Sequence, residues 1–308
     1  MSLFKKPIIR QYFHKGLIWR ASSLQQVASY ELFVDLLYVG IIDISGEFAA
    51  EEATGQSLLE FAITFILSWK FWSDIQIAIS WFEQDDIFRR CCVLFVLACL
   101  LGFTINITEW WENTYTSLIS FYLAARLFGA AYYAANAYWI PMVRGAMISQ
   151  AIANALPATL WIGSIHTDLP GRLALIWIAI VLDVFGGMVV ILLQRNGSWI
   201  PKRLRQKTSR IYEFYPALNI EHKIERTGAF VTLVFGYSIL SLLYQNRASF
   251  GINAFFGKAV LALVQAFAFN WMYFEVDSFN LHTHAIRRRV WSCKLPLVAS
   301  LLFQDGMF

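Results

Sequence analysis

Apolar residues gather in eight long windows, at about 28–50, 58–82, 91–108, 115–138, 145–165, 172–193, 227–245 and 254–276, with polar connections between them. A helix rises 1.5 Å per residue, so ~20 mostly apolar residues cross a ~30 Å hydrocarbon layer. Each window therefore predicts one membrane-spanning helix. A further apolar stretch, Leu295 to Phe303, is too short to cross and reads as a re-entrant or interfacial piece. The expected fold is all-α, a polytopic transmembrane helical bundle of about eight spans plus a short apolar C-terminal segment. Residues 1–26 form a basic amphipathic tail, 27–193 hold helices one to six, 194–226 are a basic connection, and 227–308 hold the last two helices and the C-terminal segment.

Composition agrees with this pattern. Hydrophobic residues make up 58% of the 308 and charged ones 15%, with a mean hydropathy of +0.52, against about 25% charged residues in soluble domains. The lysines and arginines alternate between sides. Lys5, Lys6, Arg10, Lys15 and Arg20 precede the first span, Arg89 and Arg90 follow the second, Arg144 the fourth, eight basic residues the sixth, and Arg287 to Arg289 the eighth. The other side receives only Arg172 and Arg247. The positive-inside rule then makes the N-terminus cytoplasmic. The net charge of +4 concentrates on that face, where anionic lipid headgroups are the expected partners and nucleic acid is unnecessary.

Residues 1–26 lack the uninterrupted apolar core of a secretory signal. They read instead as an amphipathic inner-surface segment carrying Phe4, Ile8, Ile9, Tyr12, Phe13 and Trp19. Trp81, Trp110, Trp111, Trp139 and Trp199 fall near span ends and read as interfacial anchors. Cys91, Cys92, Cys99 and Cys293 suggest neither a disulfide framework nor a zinc site. Of two glycosylation sequons, Asn106 lies close to the bilayer on the outer side and Asn196 lies on the cytoplasmic side, so neither is expected to be modified.

Four charges interrupt the apolar windows near their middles: Asp35, Lys70, Arg126 and Asp183. A charge at that depth costs at least ~2.5–3.5 kcal/mol by insertion scales and calls for a partner, water or a role. The first span also carries an acidic stripe. Glu31, Asp35, Asp43 and Glu47 fall at about 0°, 40°, 120° and 160° around the helix. Such a stripe must line a cavity or meet cations from other helices. Lys70 and Arg126 lie at a depth matching Asp35, and Lys70 is also positioned to pair with Asp74 at i+4. A second, cytoplasmic-side cluster gathers Asp74, Glu221, His222, Glu225, Arg226, Asn270, Glu275 and Asp277, with His282 and His284 beyond. His222 and Glu225, on adjacent turns, suit a proton relay because an imidazole exchanges protons near neutrality. No HxxxH or ExxH spacing marks a metal site, and no cofactor is implied.

Three blocks in order, Glu31-Leu-Phe-Val-Asp35-Leu-Leu-Tyr-Val, Glu221-His222-Lys-Ile-Glu225-Arg226-Thr-Gly228-Ala-Phe230, and Trp271-Met-Tyr273-Phe274 with His284-Ala-Ile286, resemble the low temperature requirement A family over about residues 25–300. The fungal members are the most similar. The resemblance implies a polytopic helical membrane protein without bringing an established activity, and carries the family's recurrent positions onto Glu31, Asp35, Arg126, His222, Glu225, Arg226 and Gly228. Two departures stand out. Gly236-Tyr237 replaces the family's usual Gly-Glu, which points to a lost or altered step if that glutamate carries a proton or ion. Relatives commonly continue through further helices, so the chain reads as a shortened member or a truncated gene product.

The leading functional expectation is a proton-coupled transporter or channel-like permease. Asp35 serves as midplane carboxylate, Lys70 and Arg126 as its exchangeable partners, and Asp183 as a second station. Pro157 and Gly186-Gly187 interrupt two spans, as in many transporters, although packing glycines and a tolerated proline kink are the plainer account. The alternative is an intramembrane enzyme acting on a lipid or isoprenoid, for instance a cyclase. Aromatic residues, 17% of the chain, would stabilise a carbocation while Glu31 or Asp43 protonates substrate. Asp85-Asp86 lacks the spacing of a metal–diphosphate motif. A noncatalytic membrane regulator is the third reading.

Overall fold

The computed structural model describes residues 4–14, 17–20, 29–51, 54–83, 86–194, 203, 206, 208, 211–217, 220–245 and 254–281. Among these residues eight long helices occupy the eight apolar windows: α1 (Ser29–Glu51), α2 (Gly55–Trp81), α3 (Ile87–Ile105), α4 (Tyr115–Trp139), α5 (Arg144–Ile165), α6 (Gly171–Gln194), α7 (Ile220–Gln245) and α8 (Ala254–Leu281). Four of them, α3, α4, α6 and α8 over Ala254–Glu275, are long and apolar enough to cross a membrane by composition alone. The others carry residues such as Asp35, Lys70, Gln150 and Arg226, which lower their hydropathy. The segment 295–303, the Asn196 sequon, Trp199, His282, His284 and Arg287 to Arg289 lie outside the described residues.

The chain divides into two compact units, one of residues 1–25 and 45–219, the other of 26–44 and 220–308. In the first, α4 packs between α3 and α5, and α6 lies on α5. An edge-to-face series of rings, Phe103 on Phe71, Phe71 on Tyr122 and Tyr122 on Trp161, runs through its core, an arrangement that adds ~0.5–1.5 kcal/mol per pair beyond burial. α6 turns its large apolar residues outward: Trp177, Ile178, Val181, Leu182, Phe185 and Val189 are exposed, while Ala179, Ile180 and Asp183 are buried. That polarity is the reverse of a soluble amphipathic helix and suits a lipid surround. The side chains of Thr54 and Asp86 cap α2 and α3 by accepting from Ser57 N and Arg89 N, as N-cap residues do.

Neither expected interruption breaks its helix. Pro157 is buried within a continuous α5, and Gly186 and Gly187 lie within a continuous α6, where a Cβ would meet Ala153 and the Gln150 amide of α5. Their role is close packing of the two helices.

The N-terminal segment also differs from the surface segment expected. It forms β1 (Ile8–Ile9), β2 (Gln11–His14) and β3 (Leu17–Arg20). β1 pairs antiparallel with β4 (Phe82–Glu83), and β2 lies between β3 and β5 (Phe214–Pro216). Backbone donors decide this: Arg10 N donates to Trp81 O and Ala217 N to Gln11 O. Ile9, Trp81, Phe82, Tyr133, Ala137, Val143 and Met147 form one buried cluster there. Four connections that the charge alternation assigns to one side thus meet at one end of the unit. At the other end Tyr115 shares a hydrogen bond with Ser164 at 2.6 Å, and Arg172 lies over the Tyr115 ring at 4.7 Å. The up-and-down order of α2 to α6 follows. Trp81 and Trp110 are core residues, 3% and 2% exposed, not the interfacial anchors expected, because the strands and the turn before α4 cover them.

In the second unit α1 and α7 run parallel: Glu31 meets His222, Asp35 meets Arg226, Tyr38 stacks on Phe230, and Asp43 accepts from Ser241. α8 runs antiparallel to α7, with Phe274 against Gly228 and Phe269 on Phe235.

Candidate functional sites: two buried charge networks

The first unit holds a network spanning four helices, α2, α4, α5 and α6. On α2, Lys70 Nζ lies 2.5 Å from Asp74 Oδ1, realising the i, i+4 pair. The other Asp74 oxygen takes Arg126 Nη1 of α4. Arg126 Nη2 then reaches Asp183 Oδ1 of α6 at 2.5 Å. The second Asp183 oxygen accepts two neutral donors, Tyr122 OH at 2.8 Å and Trp161 Nε1 at 2.7 Å. The side chains of Arg126 and Asp183 are 4% and 2% exposed. Two cations face two carboxylates, so the network is electrically balanced, and charge-assisted hydrogen bonds to ionised partners are the strong class.

Beside it lies a cavity of about 80 Å³ between α2, α3 and α4, walled mainly by Phe71, Phe128, Tyr132 and Tyr133 and touched by Asp74 and Arg126. It has room for several water molecules. Arg89 closes it toward the strand end of the unit, and Asn154 of α5 also lines it.

The second unit holds the other network. Arg226 grips Asp35 with two bonds, Nη2 to Oδ1 at 2.8 Å and Nε to Oδ2 at 3.1 Å. Arg226 Nη1 lies 3.6 Å from Glu31 Oε2, and His222 Nε2 lies 3.2 Å from the same oxygen. Glu31, Asp35, His222 and Arg226 are each 4% exposed or less. Among the described residues one arginine and one imidazole meet two carboxylates there.

The expected partnerships are redistributed. Asp35 takes Arg226, while Lys70 and Arg126 take Asp74 and Asp183. Depth favoured Lys70 and Arg126 for Asp35 and set Arg226 at the cytoplasmic end; the parallel run of α1 and α7 brings Arg226 to Asp35 instead. Asp74, expected in the cytoplasmic-side cluster, is bound to Lys70 and Arg126. His222 turns to Glu31, whereas Glu225, its expected relay partner, is exposed, as are Glu275 and Glu47. Asp43 accepts from Ser241 Oγ at 3.1 Å. The side chains of Glu221 and Asp277 lie outside the description. Tyr122 and Trp161 escaped the sequence reading, since an aromatic donor inside an apolar window looks like packing.

An all-α, multi-helix protein with lipid-suited helix faces and buried charge networks is an integral membrane protein. The family model described as bacterial low temperature requirement A protein (LtrA) matches residues 26–303, and the chain belongs to that family. Nothing matches the chain among curated proteins or among solved structures.

Proposed function

We propose that this protein is a proton-coupled permease whose proton site is the His222, Glu31, Arg226 and Asp35 network, with the N-terminus and the basic connections on the cytoplasmic side against anionic lipid. The observation carrying this reading is an imidazole 3.2 Å from a carboxylate oxygen that an arginine also approaches, in a network almost wholly shut from solvent. A change of charge is costly in such a place unless a partner answers it. An imidazole gains and loses a proton in the neutral range. Glu31 is shared by His222 and Arg226, so protonation draws it toward the imidazole and leaves Arg226 to Asp35. A ligand or conformation that prefers one of these pairings couples proton occupancy to shape.

The enzyme reading draws on the aromatic walls of the cavity in the first unit. The acid there, Asp74, is already committed to two cations and is a poor proton donor to a substrate, which favours the permease.

Proton flux into proteoliposomes, followed with an entrapped pH dye, tests the proposal. Wild-type protein is expected to carry protons down a gradient, and His222→Gln and Glu31→Gln to lower the rate at least tenfold while eluting as folded protein. Absence of flux from folded wild type, or variants that match it, would sink the reading.

A further inference from the structure

The cavity of the first unit has two polar groups that the charge network leaves unused. Asn154 is 3% exposed, lines the cavity and makes no hydrogen bond among the described residues. Arg89 is 4% exposed; its Nη1 donates to Phe82 O at 2.6 Å, while its buried Nη2 has no acceptor among the described residues. Asp86, the carboxylate nearest in sequence, has its oxygens on the backbone N–H groups of Lys5 and Arg89. Arg126, the other guanidinium of the wall, is matched by Asp74 and Asp183. Arg89 is therefore the cation of this wall whose side chain makes no carboxylate pair among the described residues.

A buried donor without an acceptor is destabilising, and an ionised one more so. Guanidinium nitrogens are suited to carboxylates. α3 and α5 start at the same end of the unit, with Arg89 two residues and Asn154 ten residues along, so the two groups differ in depth by ~12 Å at 1.5 Å per residue. The walls between them are apolar and aromatic, as in binding sites that orient a ligand with a few polar groups.

We infer that this cavity binds a small apolar carboxylic acid, its carboxylate on Arg89 and a polar far end on the Asn154 amide. As the identity of a carried solute this rests on the permease reading; as a binding site it stands apart from it.

Calorimetric titration of the full chain in phosphatidylcholine nanodiscs tests the site, with empty nanodiscs as blank. The probes are octanoate, 8-hydroxyoctanoate and octanamide, and oleate supplied in the bilayer is the arm for a membrane-borne acid. Expected are saturable binding of octanoate, tighter binding of 8-hydroxyoctanoate, and at least tenfold weaker binding of octanamide. Arg89→Gln should weaken both acids at least tenfold and Arg89→Lys less. Asn154→Leu should erase only the advantage of the hydroxyl, a selective effect that misfolding cannot mimic. Octanamide binding as well as octanoate, acids that bind Arg89→Gln unchanged, or saturation by oleate alone would overturn the proposal. Binding without proton flux would leave the site standing and remove the permease; flux without binding would do the reverse.

Discussion

The two buried networks use similar side-chain chemistry and differ in that the second contains an imidazole. In the first unit Lys70 and Arg126 face Asp74 and Asp183, with Tyr122 and Trp161 completing Asp183. In the second, Arg226 and His222 face Glu31 and Asp35. A network of fixed charges ties helices together. One containing an imidazole can hold or release a proton, which is why function is proposed for the second and framing for the first.

The largest expected break in that comparison is Asp183→Leu. It strips Arg126 of one carboxylate and leaves the Tyr122 and Trp161 donors without their acceptor, in the range of about 3–5 kcal/mol for removing one partner of a buried pair. Thermal unfolding in detergent should fall sharply; an unchanged midpoint would mean the network is no frame. Lys70→Met is milder, about 1.5–3 kcal/mol, the worth of a hydrogen bond to a charged group, because Asp74 keeps Arg126. Glu31→Gln sharpens the contrast from the other side. It removes one carboxylate charge while Arg226 keeps Asp35, so its stability cost should stay below about 1 kcal/mol, the size of a net hydrogen bond, while its proton flux collapses. A cost like that of Asp183→Leu would erase the distinction between the networks. Smallest is Gly228→Ala. A Cβ there would lie 3.2 Å from the Phe274 ring, which is 41% exposed and free to give, so a loss near ~0.5 kcal/mol is expected, read from the same unfolding curves.

Much of the architecture was legible in the chain. The eight apolar windows became eight helices because backbone hydrogen bonding within a span is local and the bilayer length is fixed. The alternation of basic connections foretold which loops meet, and the pairing of Lys70 with Asp74 follows from helical spacing. The partner of Asp35 was not legible. Depth pointed to Lys70 and Arg126 and set Arg226 at the cytoplasmic end, and only the parallel course of α1 and α7 puts Arg226, four residues after His222, opposite Asp35 and Glu31. The strands formed by residues 8–20 were hidden too, since their partners, 82–83 and 214–216, are remote in sequence.

Span positions, the presence of buried charge and the need to compensate it are local properties, written in hydropathy and in the cost of ions in a low-dielectric medium. Which charge answers which depends on helix neighbours and rotation. Those arise from packing across long separations, 191 residues between Arg226 and Asp35, and were decided only in the folded chain. The unused polar groups Arg89 and Asn154 belong to the same class: a group is spare only after every neighbour has found its partner.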